Sequence, residues 1–216
     1  MNIEQIELYI PNYEESVSFY KHVLAFDCVS ETAETAHFQV GSSRFTLHRD
    51  EEHAYYYHFA FNIPPNLFSS AKQWMAKKVP LLTEDGADEI YFDGAKAHAF
   101  YFEDPAGNIV EYIARTETTP EAAADQFAPC HIAGVSEMGV PTNETKKQLD
   151  ELLDLGIPPR NNEPLYYEKY LNFMGEYEDG NYLIIGPVGR RWIFSNKPGI
   201  IAPVIVKTDR GTIRNF

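Results

Sequence analysis

The stretch Ala99-Phe-Tyr-Phe-Glu-Asp-Pro-Ala-Gly-Asn-Ile-Val-Glu-Tyr-Ile-Ala-Arg115 decides the fold. Two β-prone runs flank Asp104-Pro105-Ala106-Gly107-Asn108. Aspartate before proline starts a turn, because proline fixes φ while the carboxylate bonds nearby amides. Gly107 or Asn108 supplies the positive φ that closes it. Alternation along the flanking strands puts Tyr101 and Glu111 on one side, and Val110 and Tyr112 on the other. A carboxylate between Val110 and Tyr112 does not belong in a core strand. Its position asks for a function.

Outward from this hairpin, the same order of elements recurs. Residues 3–10 alternate, with Ile6, Leu8 and Ile10 on one face and Gln5, Glu7 and Tyr9 on the other, as in a half-buried strand. Pro11 ends it, Asn12 with Glu15 reads as a capping box, and residues 16–24 follow as an amphipathic helix. Short strands are expected at 27–30, 35–40 and 44–48. A strand at 55–63, a helix carrying Phe68, Ala71, Trp74 and Met75, and strands at 89–92, 97–102 and 109–114 repeat the pattern. After a polar connector at 116–126, a strand at 132–140, a helix ending at Gly156 and strands at 171–177, 182–185 and 191–194 give it a third time. A lone strand at 203–208 begins a fourth. The expected class is therefore α+β, built from tandem βαβββ units of roughly 55–75 residues that form a curled mixed sheet. The third unit is partly degenerate.

Composition narrows the partners. A net charge of −14 and the lack of a basic cluster argue against nucleic acid, and leave small molecules or metal cations. No apolar run reaches membrane-spanning length, and Met1-Asn-Ile-Glu-Gln opens without a basic-then-apolar leader. The two cysteines, Cys28 and Cys130, suit a reducing compartment better than a disulfide scaffold. A cytoplasmic location is the expectation.

Three segments carry a family likeness. They are Glu15-Ser-Val-Ser-Phe-Tyr-Lys-His-Val-Leu24, with Ala25-Phe26 where glycine is usual; His58-Phe-Ala-Phe-Asn62; and Tyr101-Phe-Glu-Asp-Pro-Ala-Gly-Asn-Ile-Val-Glu111. Together with the tandem units, they resemble the vicinal oxygen chelate superfamily of glyoxalase I, fosfomycin-resistance enzymes, extradiol dioxygenases and bleomycin-resistance proteins. The resemblance implies two paired units within residues 1–117, a linker at 118–130, and a third unit plus one strand in 131–216. It also implies one divalent metal ion (Zn, Ni, Co, Mn or Fe). The ligands, transferred by position, are Gln5, His58 and Glu111, each on the polar face of its strand.

Glu111 and Tyr101 are then the candidate catalytic residues, and Tyr101, Tyr56, Tyr9 and Arg115 the candidate substrate contacts. Such a site would serve a glyoxalase-like lyase or a ring-cleaving dioxygenase acting on a small-molecule substrate. The alternative is a metal-free binding protein of the bleomycin-resistance kind. In the third unit Val135 falls where Gln5 does, and the fourth strand has no histidine where His58 would be. That unit is expected only to pack against the first module or to form a homodimer interface.

Overall fold

The computed structural model describes residues 1–215. The first unit runs β1 (Ile3–Ile10), α1 (Tyr13–Ser18) with a π-helical turn at Phe19–Val23, β2 (Asp27–Glu31), β3 (Thr35–Val40) and β4 (Ser43–Arg49). The second runs β5 (His58–Asn62), α2 (Phe68–Ala76), β6 (Ile90–Phe92), β7 (Ala97–Glu103) and β8 (Ile109–Arg115). The third has β9 (Gly134–Thr142), α3 (Thr145–Asp154), β10 (Asn172–Met174) and β11 (Tyr182–Pro187), followed by β12 (Val204–Thr208) and β13 (Gly211–Arg214). The α+β class and the repeated βαβββ order are as the sequence indicates.

The pairing of the units is not the one that the resemblance implied. One sheet has the order β13-β12-β1-β4-β3-β2 and the other β10-β11-β9-β5-β8-β7-β6. Units join through their first strands, antiparallel: β1 with β12, and β5 with β9. The second unit thus pairs with the third, and the first with the closing β12–β13 hairpin. Consecutive elements are neighbours only most of the time, and here the edges decide. Val204 and Val206 on β12 match Leu8 and Ile6 on β1 in register. Met138 on β9 matches Phe59 on β5.

Alternation explains the core. Phe59, Phe61, Val110 and Tyr112 point to one side of the seven-stranded sheet, where they meet Phe45, Tyr20 and Phe26 of the first unit. Their neighbours His58, Ala60, Ile109, Glu111 and Ile113 therefore point to the other side. There a second, smaller cluster forms around Ala60, Tyr101, Ile113, Ile184, Trp192 and Phe194. The expected strand at 191–194 is absent. Residues 188–203 instead cross that face as an irregular strap, with only an Arg191–Pro198 bridge.

The hairpin turn ties the units together. Asp104 accepts hydrogen bonds from Asn108 N (2.9 Å), Asn108 Nδ2 (2.7 Å) and the Tyr20 hydroxyl (2.6 Å), and Gly107 takes φ +78°. Burial raises the Asp104 carboxyl, and these donors oppose the rise. Tyr20→Phe is expected to cost about 1–3 kcal/mol, because it leaves a buried acceptor one donor short. The readout is a lower urea midpoint at unchanged slope. Both cysteines are free, and no helix among the described residues is long and apolar enough to cross a membrane.

Candidate functional site

The cup face of the seven-stranded sheet carries one row of paired residues across five strands: Tyr101 (β7), Glu111 (β8), Ala60 (β5), Glu137 (β9) and Tyr182 (β11). Paired residues share a face. Glu111 and Glu137 therefore flank Ala60 from either side, and the single methyl leaves the space between them open. His58, two residues before Ala60, stands beside that gap. One ligand atom from each of His58, Glu111 and Glu137 lies within 4.8 Å of the other two. All three residues are buried.

Each side chain is held by a specific partner. His58 Nδ1 lies 3.1 Å from the Ile109 carbonyl, so it carries the proton and leaves the Nε2 lone pair facing the carboxylates. Nε2 is 3.5 Å from Glu111 Oε2. Burial lowers the His58 pKa, with the Glu137 charge and the Ile109 bond opposing, which favours the neutral imidazole that metals need. Burial and then the Glu137 charge push the Glu111 carboxyl well above the usual carboxylate range, while Arg115 and the Tyr101 hydroxyl oppose the rise. Glu111 Oε1 is buried with no hydrogen-bond partner among the described residues. An orphaned carboxylate oxygen is costly unless something else binds it.

Glu137 is fixed by Arg115, whose Nη2 pairs with its Oε1. Arg115 Nε donates to the Gly180 carbonyl (2.9 Å), and the guanidinium lies 5.1 Å over the Tyr182 ring. Burial, with the Glu111 and Glu137 charges, drives the Tyr101 phenol well above its ordinary value, so it stays protonated.

The strap roofs the site. Trp192 packs on His58 with ring centroids 4.7 Å apart, and Phe194 stacks on Tyr101 at 4.7 Å and 15°. Gly139 permits this, since a β-carbon there would sit 2.7 Å from the Trp192 ring. Glu84 clamps the strap by pairing with Arg191 and accepting the Phe194 amide. Beneath the strap lies a cavity of about 560 Å³ with His58, Glu111 and Glu137 in its wall.

His58, Glu111, Tyr101 and Arg115 from the sequence reading all reach this cavity. Arg115 is engaged by Glu137 and Gly180, which leaves it less able to contact a substrate. Gln5 lies on the other sheet, where its amide donates to Glu7 (2.8 Å) and accepts from Lys207 (3.4 Å). Tyr9, on the same strand, stacks on His48. Tyr56 donates to Pro198 O (2.8 Å) and so anchors the strap. In the six-stranded sheet the row equivalent to Glu111–Ala60–Glu137 reads Thr46–Glu7–Ile205, and Glu7 is engaged by Gln5, His48 and Lys207.

Glu137 was missed, and with it the part the third unit plays at the site. The pairing of β9 with β5 shifts at Ser136, so Ala60 meets Glu137 while Phe61 meets Val135. Such a bulge inserts one residue and moves the register, often beside a functional site. Matching the third unit to the first by position puts Val135 where Gln5 stands, and so passes over Glu137. The available signal was the same as at Glu111: a carboxylate amid Val135, Met138 and Val140 in a strand.

Residues 135–190 match the sequence profile of a family described as toxoflavin-degrading enzyme. No curated protein matches the chain. Among solved structures, a putative dioxygenase from Bacillus subtilis subsp. subtilis str. 168 is similar at 19% identity and a TM-score of 0.62. That likeness covers 88% of this chain and spans 65% of the other. A lactoylglutathione lyase from Agrobacterium tumefaciens aligns at 19% identity and a TM-score of 0.44, over 52% of this chain and 92% of its own. A glyoxalase/bleomycin resistance protein/dioxygenase from Nocardioides aligns at 17% identity and 0.44, over 57% and 89%. The chain has the fold of the vicinal oxygen chelate superfamily, as its tandem units and closing hairpin indicated.

Proposed function

We propose that this chain is a metal-dependent enzyme acting on a small molecule, with His58, Glu111 and Glu137 holding one divalent ion. The observation that carries the reading is the convergence of three buried ligand atoms within 4.8 Å, one carboxylate oxygen among them unpartnered. The donor set fits: a neutral imidazole with two carboxylates suits Mn, Fe, Co, Ni or Zn, and the second carboxylate favours the harder ions. When bound, the ion supplies Lewis-acid polarisation of two adjacent substrate oxygens.

The chain's own residues do the rest. Arg115 holds Glu137 in place and offsets one of the two negative charges. Tyr101, kept protonated, presents a phenolic donor at the cavity wall beside Glu111. Trp192 and Phe194 exclude water from the imidazole and the phenol, which strengthens each interaction there. Toxoflavin is the first compound to try, because the matching profile includes Glu137. Lyase and dioxygenase chemistry both remain within this reading, and oxygen uptake during turnover separates them.

The test is elemental analysis of protein grown with mixed metals, beside His58→Ala. About one divalent ion per chain in the wild type and none in the variant is the expected outcome. If the wild type retains no metal and added metal leaves its melting temperature unchanged, the reading fails.

A second reading, metal-free ligand binding, draws on one observation. Arg115 already neutralises Glu137, and a protonated Glu111 would leave the floor of the cup uncharged without an ion. Ligand binding that persists in chelator and survives Glu111→Gln favours it.

A further inference from the structure

We infer that Arg115 confines Glu137 to one oxygen toward the divalent ion, and so keeps free a coordination position that a two-oxygen grip would fill. The inference rests on the metal-dependent reading above, and it makes Arg115 a positioning residue that acts through Glu137.

Arg115 ends β8 on the cup face and is only 2% exposed. Arginine is almost never buried to this degree unless it is paired. Its Nη2 pairs with Glu137 Oε1 and donates to Ser136 Oγ (3.3 Å), while its Nε donates to the Gly180 carbonyl (2.9 Å). Ser136 Oγ donates to the same carbonyl (2.9 Å), which closes a ring of buried contacts through Arg115, Ser136 and Gly180. The Tyr182 ring, next to Glu137 in the row, lies 5.1 Å from the guanidinium carbon. The planar fork is thus held from several directions, and one Glu137 oxygen is held with it.

The backbone is shaped to deliver that carbonyl. Gly180 follows the helical turn at Tyr177–Asp179 with φ +64°, in the left-handed region. A β-carbon there would fall 2.6 Å from Thr118 Oγ1 and 3.0 Å from Arg115 Cδ. Stability alone does not account for such a construction. A buried ion pair recovers little more than its own desolvation cost, and apolar side chains in its place often do as well or better. The pair therefore points to a task at the site.

The geometry says which task. A carboxylate can give an ion one oxygen or both. With Oε1 held by Arg115, Glu137 has Oε2 left for the ion. Glu111 stands in the same row without that restraint, since its Oε1 is buried with no partner among the described residues. His58 adds one nitrogen, Nε2. The harder ions that suit this donor set take about six ligands in octahedral sites. Two carboxylates gripping with both oxygens would leave about one of those positions open, and holding Glu137 to one oxygen leaves about two. Arg115 decides between these outcomes.

Mn(II) is the probe, loaded into wild type, Arg115→Met and Arg115→Lys, with water-proton relaxation counting the waters on the ion. Arg115→Met is expected to hold about one water fewer than wild type, because Glu137 is released to grip with both oxygens. Arg115→Lys, which leaves a charged donor for Oε1, should keep the wild-type count. A merely structural role for Arg115 would lower stability and leave the count alone. Equal counts in wild type and Arg115→Met overturn the inference. If Arg115→Met does not fold, Gly180→Ala decides, since it keeps every charge while its methyl displaces Arg115 Cδ. An unchanged count in Gly180→Ala then overturns the inference. Wild type that takes up no Mn(II) in the preceding titration overturns the metal-dependent reading and the inference together, whereas uptake with equal counts overturns the inference alone.

Discussion

Glu137→Gln is expected to abolish divalent-metal binding, while Gln5→Ala leaves it unchanged. The two variants separate the ligand set proposed above from the one that positional transfer supplies. Glu137 shares its row with Glu111 across Ala60, whereas Gln5 sits on the other sheet within a closed network with Glu7 and Lys207.

Metal at about 1,000 times its Kd stabilises a folded chain by about 4 kcal/mol. For a chain of this size that is a rise of about 8–16 °C in melting temperature. Wild type and Gln5→Ala should show the full rise and Glu137→Gln none of it. Glu137→Gln also strands the buried Arg115 guanidinium, at a cost of about 3–5 kcal/mol. Arg115→Met combined with Glu137→Gln removes that stranded charge. The double variant is expected to regain stability without regaining metal. If Glu137→Gln alone still gains the wild-type rise on adding metal, Glu137 is not a ligand.

The two halves of this site differ in how far they could be read from sequence, and the difference is physical. His58 and Glu111 stand out because alternation is a local rule, and both are polar residues on the minority face of an otherwise apolar strand. The turn at Asp104 is local too, and its proline and glycine do what those residues ordinarily do. Glu137 obeys the same alternation, but it meets Ala60 only through the pairing of β9 with β5, which nothing in the neighbouring residues announces. Which unit pairs with which is a property of strand edges brought together over long sequence separations. The resemblance implied that units one and two pair, whereas β12 pairs with β1 through its valines and β9 with β5 through its methionine. The strap misleads for a related reason. Arg191-Trp192-Ile193-Phe194 has strand composition, yet Phe194 takes φ +58° and gives its amide to Glu84. Its aromatic side chains pack onto His58 and Tyr101 instead of joining a ladder, a tertiary effect that overrides local propensity.

Glu111→Gln is expected to flatten the pH dependence of stability in the metal-free protein above pH 6.5, where the His58 contribution is complete. In the folded chain, burial and the Glu137 charge raise the Glu111 carboxyl well above the ordinary value of 4.5 to which unfolding returns it. Its contribution to stability is therefore full below pH 4.5, and is lost as pH rises through the folded value. His58 works in the opposite sense. Its folded pKa lies below 6.5, so its contribution is full above pH 6.5 and is lost as pH falls through the folded value. The two slopes oppose each other below pH 6.5, and above it the His58 slope no longer offsets that of Glu111. Urea unfolding in chelator should thus show wild-type stability falling as pH rises through this window, and Glu111→Gln holding level. Metal binding must displace the same proton, so metal affinity should rise with pH over the same range. Calorimetry in buffers of different ionisation enthalpy should register proton release. Parallel pH slopes for wild type and Glu111→Gln, or metal uptake without proton release, would show that Glu111 is already ionised in the empty cup. The orphaned oxygen would then need another partner than a proton in the metal-free protein.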